Sequence, residues 1–225
     1  MPTRFSAFHK TKELLCKELT TEFRTRYGSS ALLMFSLTTL SAVSMSIGAQ
    51  SLSPDFLAIL FWIILFFSAM AGLSRVFLQE SEQGTLQTLR VYASSQPVFF
   101  GKFIYNALLL FVLTLFLLPL FIVFLNASVP HLGELCLVLL LGNIGLSAAA
   151  TLIASLLTQV QGQSSLFTIL SFPIILPLLL FCIQLTAAAF SSEGFTIDSR
   201  MLFLASYDVV ILGLASVLFD YIWYD

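Results

Sequence analysis

Six apolar runs, each long enough to cross about 30 Å of hydrocarbon as a helix, constrain this chain more than any other feature. They lie near residues 31–49, 56–74, 103–125, 135–157, 166–189 and 201–223. Within lipid a backbone must satisfy its own hydrogen bonds, so only helices and closed barrels span it. The runs show no strand-like alternation, so they predict helices. The first run is the most polar, rich in Ser and Thr from Ser36 to Ser46. Residues are 58% hydrophobic and only 10% charged, against about a quarter charged in a soluble domain. Water could not solvate such a surface. The expected class is an all-α integral membrane protein, one transmembrane domain over residues 1–225.

Sidedness follows from the cations. Nine of the ten Lys and Arg residues precede the first run or lie at 75–102; only Arg200 stands on the other side. The amino terminus, the 75–102 loop and the carboxyl terminus are therefore expected in the cytoplasm. The loops near 50–55, 126–134 and 190–200 are expected to face outward. Tyr221, Trp223 and Tyr224 close the last run, as aromatics do at an interface. The mixed-charge leader lacks a short apolar core with a small-residue cleavage site, so no cleaved signal peptide is expected. Cys16, Cys136 and Cys182 are widely spaced and form neither CxxC nor a metal pattern.

Within the amino-terminal segment 1–28, residues 5–27 read as an amphipathic helix. Leu15, Leu19, Phe23 and Tyr27 recur every four residues, and Lys10, Lys17 and Arg24 every seven on another side. Glu13–Lys17 and Glu22–Arg26 have the favourable i,i+4 order. Such a helix suits the cytoplasmic headgroup layer, apolar stripe down and cations at phosphates. A solvated helix serving as a topology signal is the plainer alternative.

Between the second and third runs lies a polar island, Glu80-Ser81-Glu82-Gln83-Gly84-Thr85-Leu86-Gln87-Thr88-Leu89-Arg90, closed by Pro97 and Gly101-Lys102. Phe77 to Gln83 can continue the second span beyond the membrane, and Gly84 then permits a turn that a Cβ would resist. Thr85 suits an N-cap for a helix from Leu86 to about Ala93. Ser94-Ser95-Gln96-Pro97 is expected to end that helix, since Pro cannot continue the ladder. About eight residues are too few for an isolated helix, so it needs a partner. That partner is its own bundle, the membrane surface or another protein; an ordinary connecting loop is the alternative.

The run Glu80-x-Glu82-x-Gly84-Thr85-Leu86-x-x-Leu89, with Pro97 and Gly101-Lys102, resembles the E-x-E/D-x-G-T-L-x-x-L…P…G-K pattern of ABC-2-type permeases. Lys17-Glu18-Leu19-Thr20-Thr21-Glu22-Phe23-Arg24 is similar to the start of the CcmB family, the haem exporter permeases of cytochrome c maturation. Phe172-Pro173-Ile174-Ile175-Leu176-Pro177-Leu178 resembles the P-x-x-x-P fifth span of that family. The acidic, aromatic tail from Asp220 to Asp225 departs from the basic ending expected there.

The resemblance implies an ABC-2-type permease fold in a bacterial inner membrane, with an amino-terminal interfacial helix and a short cytoplasmic coupling helix. It implies docking of the island on a separate CcmA-like ATPase that binds and hydrolyses ATP. It also implies CcmC-like and CcmD-like membrane partners and the haem chaperone CcmE. Glu80 and Glu82 would face basic groups of the ATPase, and Leu86 and Leu89 would fill its groove. Arg90 belongs to the same coupling set, and Lys102 would anchor the third span at lipid phosphates. Haem would be handled by the complex, with no cofactor held by this chain. A pair of copies is the expected arrangement, a pair with a different subunit the alternative. Competing functions are an ABC-2 exporter of a drug, lipid or glycan, and a membrane scaffold without a transport cycle.

Asn106, Asn143, Gln184 and Asp208 interrupt the apolar runs. The three amides read first as helix–helix hydrogen bonds, and as a substrate path second. Asp208 is expected near the outer interface, snorkelling or paired with Arg200. Gly142, Gly145 and Ala149 give the fourth run a smooth face for close packing, within one chain or between two. Pro173 and Pro177 are expected to bend the fifth or free carbonyls there. His131, on an outer loop, is too isolated to define a haem ligand. No catalytic group, metal set or nucleic-acid partner is expected.

Overall fold

The computed structural model describes residues 4–48, 51–73, 84, 86–157, 164–191 and 199–224. Glu80, Glu82 and Thr85, and the expected extension of the second span over 77–83, lie outside these residues. Everything regular among the described residues is helical. The elements are α1 (Arg4–Thr25), α2 (Tyr27–Ile47), α3 (Pro54–Leu73), α4 (Leu86–Tyr92), α5 (Ser95–Leu125), α6 (Leu132–Leu157), α7 (Ser164–Phe190) and α8 (Ser199–Tyr224). Six of them, α2, α3, α5, α6, α7 and α8, are long and apolar enough to span a membrane.

Helix α6 is the centre, packed on α5, α7 and α8 and touching α3. Its composition explains the position. Gly142, Gly145, Ala148, Ala149, Ala150 and Ala154 let neighbouring backbones approach closely, and it is buried continuously from Gly145 to Ser155. A Cβ on Gly142 would strike the Trp62 ring of α3 and come within 2.9 Å of Cys182 Sγ on α7. A Cβ on Gly145 would strike Asp208 on α8 and come within 2.8 Å of Leu178. The smooth face thus packs inside one chain. By contrast, α2 buries one narrow stripe, Leu32, Ser36 and Leu40, at helical spacing.

Buried polar side chains join helices in pairs. Asn106 Nδ2 of α5 donates to Thr151 Oγ1 of α6 at 2.8 Å. Asn143 of α6 exchanges hydrogen bonds with Thr114 of α5 at 3.0 and 3.2 Å. Trp62 Nε1 of α3 donates to Thr186 Oγ1 of α7 at 2.9 Å. Asn106 and Asn143 therefore act as helix–helix pairs, each worth about 1 kcal/mol in a bilayer. Gln184 differs: it is exposed on α7, outside the bundle core.

Pro173 and Pro177 both lie inside α7, which stays one helix across them. Each ring removes one ladder donor. Between them, the carbonyl of Ile174 accepts a hydrogen bond from the Tyr207 hydroxyl of α8 at 2.6 Å.

Candidate functional site

The charged end of the bundle is built where α1, α4, the start of α5 and the end of α8 meet. The amphipathic reading of α1 needs correcting in register. Among its described side chains the buried one is Leu14, outside the expected stripe, and Phe23 points away at 78% exposure. Leu14 rests on α5 because Gly101 there has no side chain: a Cβ would stand 3.2 Å from Leu14 Cβ. Leu15 and Leu19 are half-buried. Tyr27 is not on α1 at all, since Arg26 adopts a left-handed conformation (φ 52°) and α2 begins after it.

Glu22 explains that break. Its carboxylate accepts the Ser29 backbone N–H at 2.7 Å and the Tyr105 hydroxyl at 3.0 Å. It thereby caps the first turn of α2 from α1 and ties both to α5, where an anion also complements the helix dipole. It does not form the expected pair with Arg26. Partial burial pushes its pKa up, but hydrogen bonds from Ser29, Tyr105 and the Gly28 backbone outweigh that and hold it below the usual 4.5.

Lys102 also departs from expectation. It does not reach lipid phosphates: it is 2% exposed and its Nζ lies 3.1 Å from Glu18 Oε1 on α1. Lys17 approaches the same oxygen at 3.9 Å from the exposed side. The Glu18 and Glu22 of the amino-terminal motif thus serve the α1–α5 seam, through Lys102 and Tyr105. Arg24, in the last turn of α1, is exposed.

The short helix is where the spacing placed it, over Leu86–Tyr92. Gly84 before it has φ +67°, the left-handed conformation glycine tolerates. The helix stops near Ala93, as the sequence led one to expect. Ser94 after it is extended, and Pro97 sits in the first turn of α5. A first-turn N–H has no intrahelical acceptor, so proline there costs no hydrogen bond. This is also why α5 starts at Ser95 rather than near residue 103.

Leu89 is 7% exposed and Ala93 3% exposed, both in the chain's own core. Leu89 therefore holds α4 in place and is not available to fill a partner's groove. On the opposite side Val91 stands 91% exposed. Lys10 Nζ of α1 donates to the Tyr92 carbonyl at 2.9 Å, and the Tyr92 hydroxyl donates to Glu13 Oε2 at 2.5 Å. Glu13 also meets His9 Nε2 at 3.1 Å.

The tail of α8 supplies the remaining contacts, which its sequence did not announce. Arg90 stacks over the Trp223 ring at 5.8 Å and donates to the Ile222 carbonyl at 3.4 Å. Ser95 Oγ donates to the Asp220 carboxylate, and Gln96 Nε2 donates to the Ser216 carbonyl at 3.2 Å. The end of α8, through Ser216, Asp220, Ile222 and Trp223, thus grips α4 and the first turn of α5. Periodicity could not show this, because Arg90 and Trp223 are 133 residues apart.

At the opposite end, Leu52, Pro54, Ser128, Val129, Pro130, Phe190 and Ser191 line an open cavity of about 750 Å³. His131 follows Pro130 but is not part of that lining. Among the described residues no group of His, Cys, Asp and Glu could hold a metal ion.

Asp208 is the largest departure. It is 5% exposed, against Gly145 in the bundle core, and does not snorkel. It lies between three and four residues from the midpoint of α8, about 5 Å along the axis.

Among the described residues, six membrane-length helices around a small-residue core, with a short helix held by α1 and α8, define a multi-pass membrane protein. The chain belongs to the CcmB family: the family described as "CcmB protein" matches residues 9–220. No curated protein matches the chain. Membership makes it a membrane permease component of haem export for cytochrome c maturation. It is the permease subunit of an ABC system and not the ATPase of that system.

Proposed function

We propose that this chain couples ATP hydrolysis on a separate CcmA-like ATPase to haem handling, receiving the partner's motion through α4. The observation that carries the reading is the seating of that helix. Leu89 and Ala93 face the chain's core, α1 and α8 hold both flanks, and Val91 is left uncovered. Force on α4 would pass by Arg90 into α8 and by the Ser95–Asp220 contact into the start of α5. In this reading Val91 takes the docking role that the sequence suggested for Leu89.

The charged end is cytoplasmic, with both termini there, because nine of the ten Lys and Arg residues precede the first span or lie in the 75–102 stretch. The membrane is the bacterial inner membrane. The complex contains CcmC-like and CcmD-like proteins and two copies of this chain, and its cycle releases haem-loaded CcmE on the outer face. ATP resides on the partner, and haem is cargo.

The test is a Val91→Asp substitution with a mild-detergent pull-down from the native membrane. The expected result is at least a tenfold fall in recovered ATPase, equivalent to about 1.4 kcal/mol, with insertion intact and c-type cytochromes reduced. Wild-type recovery of the ATPase would refute docking through α4. Recovery of an ATPase without haem-handling membrane proteins would refute the assembly.

A further inference from the structure

A carboxyl group lies where three spans meet, and the coupling reading does not use it. Asp208 of α8 is 5% exposed, and among the described residues neither carboxyl oxygen has a hydrogen-bond partner. The space it occupies exists because residue 145 is glycine; a Cβ there would strike Asp208 Oδ1.

No cation is built to neutralise it. Helices α6 and α7 contain no Lys or Arg, and Lys102 on α5 faces Glu18. Arg200 lies eight residues earlier on α8, about 12 Å along the axis. The titratable groups facing the carboxyl are the Cys182 thiol of α7 and the adjacent Tyr207 hydroxyl. The Tyr207 proton is committed to the Ile174 carbonyl at 2.6 Å. The acid and thiol of α6, Glu134 and Cys136, stand at its outer start.

An ionised carboxylate left alone in such a place costs several kcal/mol. We propose that Asp208 is a proton-binding site between α6, α7 and α8, occupied when α8 is packed on Gly145. Binding moves one proton from water to a carboxylate oxygen. Release returns it to water and leaves a charge that the closed seam cannot solvate, so proton occupancy and α8–α6 packing are linked. The inference stands independently of what docks on α4.

Infrared spectroscopy of the full chain in lipid nanodiscs at neutral pH tests it. A protonated-carboxyl carbonyl band is expected in the wild type. It should shift on ¹³C-carboxyl aspartate labelling, diminish as the pH is raised, and disappear in Asp208→Asn. The isotope shift needs no substitution, so the test survives a variant that misfolds. Absence of a protonated-carboxyl band that responds to the label would overturn the proposal. So would a carboxylate band that moves when sodium or potassium replaces choline in the buffer, since that assigns the site to a metal cation.

Discussion

Lys102 Nζ lies 3.1 Å from Glu18 Oε1 with the lysine side chain 3% exposed, so α1 is fastened to the third span by a shielded ion pair. Removing the carboxylate takes from the buried Lys102 ammonium the counter-charge that stands 3.1 Å away. Glu18→Gln should destabilise the chain by about 3 kcal/mol or more, while replacing both residues with Met should recover most of that loss. Thermal unfolding in detergent, with limited proteolysis of α1, measures both. Equal losses in the single and double variants would show that the pair is not the fastening.

Glu22 carries a pH prediction. Its folded pKa is depressed, so its contribution is present above the ordinary value of 4.5 and is lost as the pH falls through the lower folded value. The melting temperature of the wild type should exceed that of Glu22→Gln near neutrality. The gap should close in acid, below the ordinary carboxylate range. A gap independent of pH would mean that the carboxylate does not cap α2.

Two glycines of the spans should behave oppositely. Gly142→Ala pushes a methyl into Trp62 and Cys182, and overpacking of this kind costs about 1–3 kcal/mol. Gly213→Ala meets nothing within 4 Å and should gain up to about 1 kcal/mol from helix propensity. Unfolding of both variants in the same detergent decides it, and equal effects would contradict the packing of α3 and α7 on α6.

Thr186→Val keeps shape but deprives the buried Trp62 Nε1 of its acceptor. An unsatisfied buried donor costs about 1–3 kcal/mol. The loss should appear in the melting temperature and as a change in tryptophan fluorescence, whereas Trp62→Phe with Thr186→Val should be milder than the two single effects added. Strict additivity would argue against the hydrogen bond.

The short helix shows how far sequence reasoning reaches. Its position over Leu86–Tyr92 was legible, because Gly84 and a brief amphipathic turn mark it locally. The direction of Leu89 was not legible, since inward and outward faces of a seven-residue helix look alike until neighbours are in place. Its end near Ala93 was legible too, but that Pro97 opens the next helix was not: a proline fits the end of one helix and the first turn of the next equally well. The interhelical roles of Asn106 and Asn143 were legible in kind, as amides seek partners in lipid, but their partners Thr151 and Thr114 were not.

Hydropathy acts on each segment by itself, so the sequence determined the spans, the charged end and the small-residue face of α6. Family likeness was legible too, carried by short motifs at 17–24, 80–102 and 172–178. Only the tertiary structure decided that Lys102 is enclosed by Glu18, that Arg90 meets Trp223, and that Asp208 sits against Gly145. Each of these depends on the rotation and pairing of whole helices. That choice is made by packing among residues up to 133 positions apart, such as Arg90 and Trp223, and no local pattern records it.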